Sequence, residues 1–495
     1  MILPTLPGPA LRRGLLLALL PLALAACTVG PDHVRPDPPA PERFLRDTPH
    51  GAHARTLDAA WRTDGQAAFW RAFGDPLLEV LVDEALLANH DLRIALARYD
   101  QANALLRGAR MDRLPTLSAS ASGGDVRASA AQAPGLDRAA RDGEQYEAGL
   151  RALWELDFFG RIRRGIEARN ADAEASAADL AAVQVAVVGD LVEAYMQLRG
   201  FQAQLRVAQD NARNQADTLR LVEARADAGR DAPFDVARVR AQLESTRARI
   251  PALEAAVAVT AHRIAVLTGN TPEALALELE EAMPLPPLPD VALDATPAEL
   301  LRRRPDVVAA ERRLHAATAR IGVATADLFP RFTLGGLIGS QALSVSDLFE
   351  RDSETRAITL GIDGSFLDVG RVRARIAAAD AAAAADLAAY EGTVLRALEE
   401  TENALVRLSR AERERVHLEA AAEASGSAAR TARVRFENGA SNVLDVLDAE
   451  RVRLAAEDAL AQGRTRNASA VVALYRTLAG GWPQQLPARH EVAER

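Results

Sequence analysis

Cys27 is the only cysteine in the 495-residue sequence, so neither an internal disulfide nor a multi-cysteine metal cluster is available, and the thiol needs its own explanation. Arg12 and Arg13 precede the apolar run Gly14 to Ala26. That run has the positive start and short hydrophobic middle of a secretory signal and is too short to span a bilayer. Its last residues, Leu24-Ala25-Ala26-Cys27, resemble a bacterial lipobox, in which the cysteine is acylated and becomes the mature N-terminus. Acyl chains add about 0.8 kcal/mol of membrane affinity per buried methylene, so two or three of them anchor a protein firmly. Thr28 stands where an aspartate would resemble an inner-membrane retention signal, which points the anchor to the outer membrane.

Other reactive constellations are few. The 59 basic residues are all arginine, so the phosphate-cradling loop that ends in Gly-Lys-Ser/Thr is absent and the chain cannot hydrolyse nucleotide that way. Only His50 and His53 lie close together among the 8 histidines, and both fall in a linker-like segment. No catalytic triad, metal site or cofactor is expected beyond covalent lipid on Cys27. The formal charge of -9 is spread along the chain with no basic block to follow phosphates, which excludes nucleic acid as a partner. Carboxylates on long helices mostly meet arginines at helical spacing. Asp445 and Asp448, three apart on one helix face near a glycine turn, are different: in a symmetric assembly they would form two acidic rings about the axis.

The elements that would position these residues come from two copies of one unit. Arg98, Ala102, Ala104, Ala109 and Pro115 pair with Arg313, Ala317, Ala319, Ala324 and Pro330 at an offset of 330 − 115 = 215. Gly160-Arg161, Ala194, Gly229 and Asp235-Val236 pair with Gly370-Arg371, Ala404, Gly439 and Asp445-Val446 at 439 − 229 = 210. Each copy reads helix, strand, strand, long helix, helix. Pro115 and Pro330 stop the first helix, because a residue before proline avoids helical geometry; Gly160 and Gly370 mark the junctions from strand to long helix. Between Gly160 and Gly229, and between Gly370 and Gly439, about 68 residues run without proline, a helix of about 100 Å at 1.5 Å per residue. Gly229 and Gly439, with Ser441 close behind, mark the far turns.

Leu117, Ala119 and Ala121 alternate with serines; Phe332, Leu334 and Ile338 share a face; Ile358, Leu360, Ile362 and Phe366 alternate with Thr359, Asp363 and Ser365. Four strands of this kind have the length of tilted bilayer-crossing strands, and no later apolar run is long and uninterrupted enough for a transmembrane helix. Four cannot close a barrel, and an open edge has no hydrogen-bond partners in lipid. Three copies would supply twelve strands.

Several local motifs match a known family. They are Cys27-Thr28-Val29-Gly30-Pro31-Asp32, Phe69-Trp70 through Phe73-Gly74-Asp75-Pro76, Leu301-Arg302-Arg303-Arg304-Pro305-Asp306, Ala310-Glu311-Arg312-Arg313-Leu314, and Asp327-Leu328-Phe329-Pro330-Arg331-Phe332. With the repeat, they make the chain resemble the TolC-like outer-membrane efflux factors of the NodT-type lipoprotein branch. The resemblance implies a mainly α fold with a small β part, and a trimer forming a 12-stranded β-barrel continued by a 12-helix periplasmic α-barrel. It implies a passive exit duct for drugs, toxic compounds or metal ions, opened at its periplasmic tip by a periplasmic adaptor and an inner-membrane RND-type pump. Val443-Leu444-Asp445-Val446-Leu447-Asp448-Ala449 resembles the segment whose aspartates line the closed aperture, with Asp235 the matching acid of the first copy. Gly229, Gly439 and Ser441 fall where the adaptor docks. Phe436 and Ser441 stand at the family's polar bracing positions, and His33 replaces its usual tyrosine. A non-conducting lipoprotein spacer of the envelope would also account for the long helices and Cys27, though not for four amphipathic strands.

The expected organisation is a signal peptide over 1–26, a lipid-anchored linker over 27–68 and a first repeat over 69–280, with strands near 115–127 and 143–158 and a long helix near 161–228. A Pro-rich connector over 281–296 leads to a second repeat over 297–482, with strands near 331–343 and 356–367 and a long helix near 371–438, then a tail over 483–495. If the acidic rings exist, Asp445→Ala with Asp448→Ala weakens cation preference in planar-bilayer conductance; unchanged selectivity in an inserted assembly rejects the assignment.

Overall fold

The computed structural model describes residues 28–37, 40–45, 68–230, 232–289, 296–365 and 367–478. The signal peptide, Cys27, His50, His53, Phe366 and the tail from 479 onward lie outside them. The fold is mainly helical with one small sheet. In chain order come α1 (Pro76–Ala88), α2 (His90–Met111), β1 (Thr116–Arg127), β2 (Asp142–Leu156), α3 (Arg161–Asp227), α4 (Pro233–Arg247), α5 (Ile250–Leu267) and α6 (Ala276–Glu280). They are followed by α7 (Pro297–Arg303), α8 (Pro305–Ala326), β3 (Arg331–Ala342), β4 (Glu354–Asp363), α9 (Val369–Glu437) and α10 (Val443–Thr477).

Several elements depart from the simple reading. The first helix is two, because Asn89 leaves helical geometry and caps the second: its Oδ1 accepts from the amides of Asp91 and Leu92 while its Nδ2 donates to Leu267 O at 2.8 Å. In the second half Arg304 is extended before Pro305, splitting α7 from α8. The long helix of that half begins at Val369, so Gly370 lies in its first turn, where the chain passes from the sheet into the helix. Gly160 marks its own junction at φ 82°. Stretches of α3 and of α4–α5 are long and apolar enough to cross a bilayer by length and composition, but neither is an uninterrupted apolar run. Alanine and valine raise their hydropathy, although Asp179 and Asp190 interrupt the first and Glu254 and Arg263 the second.

Both long helices, of 67 and 69 residues, end in the same way. Gly229 and Gly439 adopt φ 72° and 70°. The amides of Arg230 and Ala440 reach back to the carbonyls of Arg225 and Arg435, the closing bond of a Schellman stop, which a glycine enters without steric cost.

The chain divides into two compact units. The first comprises Met1–Asp37, Tyr99–Ser176 and Ala309–Tyr390, the second Pro38–Arg98, Ala177–Val308 and Glu391–Arg495. Each draws on both halves of the sequence.

The first unit holds the sheet, ordered β1-β2-β3-β4 with every pair antiparallel. At the foot of the sheet Phe158 meets Phe332 edge-on and Phe159 stacks on Phe329 at 4.5 Å. The segment 28–37 is seated against this unit. Val29 N donates to Phe159 O, and the Arg164 side chain donates to the carbonyls of Val29 and Gly30 and to Asp32 at 2.6 Å. Burial works against the Arg164 charge, but hydrogen bonds to Asp32 and Glu167 outweigh it and raise its pKa. His33 stacks on His315 at 4.4 Å and meets Glu311, only 4 % exposed, at 2.7 Å. His315 in turn meets Glu167 at 3.0 Å.

The core of the second unit includes Phe69, Trp70, Phe73, Leu78 and Val82, with Phe69 stacked on Tyr475 at 4.7 Å. Asp75 caps α1 by accepting from the amides of Leu77 and Leu78, and its other oxygen accepts from Tyr195 Oη at 2.6 Å. The buried Arg199 donates to the same hydroxyl and to Gln202 and Glu281 O. Burial and the Asp75 carboxylate together push the Tyr195 phenol well above its usual range. This ties the Phe73-Gly74-Asp75-Pro76 motif to α3.

Gly30 adopts φ 91°, and a side-chain methyl there would overlap the Gly322 backbone. Gly30→Ala should weaken the seat of segment 28–37 by about 1 to 3 kcal/mol, read as faster hydrogen exchange at the Val29 amide; an unchanged rate shows that the close approach is not needed.

Candidate functional site: the exposed sheet and the far helix turns

The register of the sheet places apolar residues opposite one another on one face. Leu117 faces Ala152, Ala119 faces Leu150, and Leu150 faces Ile338. Trp154 faces Leu334, which faces Leu360, and Phe332 faces Ile362. Leu117, Ile338 and Ile358 are 79 %, 74 % and 88 % exposed, so among the described residues nothing covers this part of the face. The other face carries Ser118, Ser120, Arg151, Thr333, Thr355 and Thr359. β1 and β4 lie at the two edges, each paired on one side only.

In the second unit, the turns after α3 and α9 are braced by carbon rather than by polar bonds. Val222, Val239, Phe436, Val443 and Val446 form a buried cluster, joined by Leu219, Val236 and Leu447. Phe436 is 2 % exposed, and the Arg225 guanidinium lies 4.4 Å from its ring centroid, a contact contributing about 0.5 to 2 kcal/mol. Ser441 Oγ is buried without a hydrogen-bond partner. Phe436 and Ser441 thus occupy an apolar seam, and its polar ties lie outside it: Arg240 with Glu223 at 2.8 Å, Arg433 with Thr218 at 3.1 Å, and Arg453 with Asn211 at 3.2 Å. Burial opposes the Arg453 charge, but pairs with Glu450 and Glu457 raise its pKa.

The three acids named from the sequence are at these turns. Asn442 caps α10 by accepting from Asp445 N at 3.0 Å, which leaves the Asp445 carboxylate exposed in the first helical turn, where the helix dipole favours it. Asp448 is exposed and pairs with Arg451 at 2.7 Å. Asp235 is half-buried in the first turn of α4. Gly229 and Gly439 are exposed and Ser441 is half-buried. Pro115 and Pro330 stand directly before β1 and β3.

Sequence reasoning missed the ligands of the N-terminal segment, Arg164 and His315, because long-range pairing leaves no local spacing to read. It quoted Arg304 only as part of a motif. The Arg304 side chain, 9 % exposed, chelates Asp306 and reaches Glu400 at 2.7 Å. Burial works against its charge, but these carboxylates win and raise its pKa.

A profile of the outer membrane efflux protein family matches residues 81–270 and 296–480. The outer membrane protein OprJ of Pseudomonas aeruginosa is 33 % identical over 94 % of this chain and 95 % of its own length. Nodulation protein T of Rhizobium leguminosarum bv. trifolii is 31 % identical over 87 % of this chain and 89 % of its own. The solved outer-membrane channel OprN is 40 % identical, with a TM-score of 0.82 over 92 % of this chain and all of that one.

Removing the Phe436 ring should cost the seam about 3 to 5 kcal/mol. Phe436→Ala is therefore expected to speed hydrogen exchange in the amides flanking Gly229 and Gly439 while leaving the sheet unchanged; equal protection to the parent rejects an apolar brace.

Proposed function

The chain belongs to the outer membrane efflux protein family and is an exit duct of an efflux system in the outer membrane, extending into the periplasm; we propose that it works as a homotrimer whose three sheets close one twelve-stranded barrel. What supports this most is the continuous apolar face of the four-stranded sheet, uncovered and bounded by two unpaired edges. In water such a face invites aggregation. In lipid the face is satisfied, but each unpaired edge amide or carbonyl costs several kcal/mol. Pairing β4 of one copy with β1 of the next removes both edges, and three copies give an even strand number within the known barrel range.

The two strand pairs and the two helices of nearly 70 residues fit tandem repeats of one unit, so three chains would supply twelve helical columns. In this reading Cys27 carries the lipid anchor and segment 28–37 holds the anchored end against the first unit. The far turns form the periplasmic tip. Asp445, Asp448 and Asp235 line its aperture, and Gly229, Gly439 and Ser441 lie where an adaptor engages. An adaptor and an RND-type inner-membrane pump supply the driving force. The cargo is small molecules, chosen by the pump.

Native mass measurement of detergent-solubilised protein should give three copies, and the reconstituted species should conduct ions. A stable single protomer rejects the shared barrel; a trimer without conductance favours the lipoprotein spacer.

A further inference from the structure

The second unit contains an open concavity of about 1220 Å3 walled by α3, α9 and α10, with Arg304 and Asp306 also in its lining. It lies on the face of α3 opposite the one already engaged. Tyr195, Arg199 and Gln202 point to Asp75, Leu279 O and Glu281 O, whereas Gln197, Phe201 and Gln204 line the cavity. Its apolar lining includes Val185, Phe201, Ala470 and Ala473.

Most charges in its wall are already matched. Arg304 is held by Asp306 and Glu400, Arg466 meets Glu414 at 2.6 Å, and Arg476 meets Asp190 at 2.9 Å. Glu193 accepts from Ser469 and Gln197, both neutral. Arg407 and Arg410 differ: among the described residues neither has a carboxylate partner, and standing three apart on α9 they share one side of the helix. Two unengaged guanidiniums beside an apolar wall, in a concavity roomy enough for a small molecule, are the elements of a site for a ligand with an apolar body and one acidic group.

We propose that this cavity is a transient seat for amphipathic anions, organic carboxylates or sulfonates, with Arg407 and Arg410 taking the acid group and the apolar wall beside Phe201 taking the body. The seat rests on the duct reading, because it gives anionic cargo a resting place inside the conduit. It must be weak enough to release what it binds, since a site in a conduit that holds its ligand becomes a plug.

The test uses the full-length acylated assembly in nanodiscs and two aromatic probes of nearly the same body, 8-anilinonaphthalene-1-sulfonate and the uncharged N-phenyl-1-naphthylamine, measured by equilibrium dialysis against empty nanodiscs. Arg407→Gln with Arg410→Gln should weaken binding of the sulfonate about tenfold, the loss expected of a charge-assisted hydrogen bond, and leave the neutral probe unchanged. Arg407→Lys with Arg410→Lys should restore much of it. Sulfonate binding equal in parent and Gln variant, equal loss of both probes, or no protein-dependent binding overturns the seat. Bilayer conductance of the same preparations reports on the duct separately: a conducting parent whose sulfonate binding ignores the arginines rejects the seat and leaves the duct standing.

Discussion

A sheet that presents oily side chains to its surroundings can be satisfied by lipid, but lipid offers no hydrogen bonds, and these two facts pull on the same four strands. Leu117, Leu150, Ile338 and Ile358 share one face of the sheet, with Leu150 opposite Ile338 and Leu117 opposite Ala152, and that face suits hydrocarbon. Once there, the outer backbones of β1 and β4 have to find partners, and water cannot provide them. In the proposed trimer, oligomerisation is therefore part of folding, because the shared barrel would close only when copies meet. The helical part follows from the same logic, since helices of 67 and 69 residues are too long to bury their sides within one protomer and need neighbours along their length.

Within the protomer, buried arginines organise what the apolar core leaves undefined. Arg164, Arg199 and Arg304 each reach across sequence separations of 80 residues or more in the bonds that count. They do so from well-buried positions, where a guanidinium's planar fork can satisfy several acceptors at once. Their desolvation offsets much of what these bonds contribute, so these sites fix geometry more than they add net stability. The far turns invert the pattern. There a phenylalanine and four valines form the seam, with polar ties at its margin, a joint held by dispersion and burial that can part without stranding a charge.

Much of this was legible in the sequence because it is periodic. Alternation fixed the strands to within a few residues, and Gly229 and Gly439 marked the helix ends that the backbone realises as left-handed stops. What escaped was either local competition or long-range pairing. Asn89 breaks a helix whose apolar pattern continues through it, since its side chain accepts from the amides of Asp91 and Leu92 as a cap does. Gly370 aligned with Gly160 by sequence, yet one lies in a helix and the other at φ 82°; Thr28 packs against Gly160 alone. The His33–His315 stack and the Arg225–Phe436 contact join residues more than 200 positions apart, and no spacing rule announces them.

The absence of lysine has a consequence for how the molecule responds to its surroundings. Where the cation of an ion pair is a guanidinium, the pair can be discharged only from its acidic side. Glu299, held by the Thr296 backbone and hydroxyl, has its pKa lowered; so does Glu419, where burial pulls the other way but Arg415 and Arg464 prevail. Groups depressed in this way contribute fully at neutral and alkaline pH, and their contribution is lost as pH falls through the folded-state value. A cell envelope exposed to base would leave these ion pairs as they are, whereas acid would erode them one carboxylate at a time.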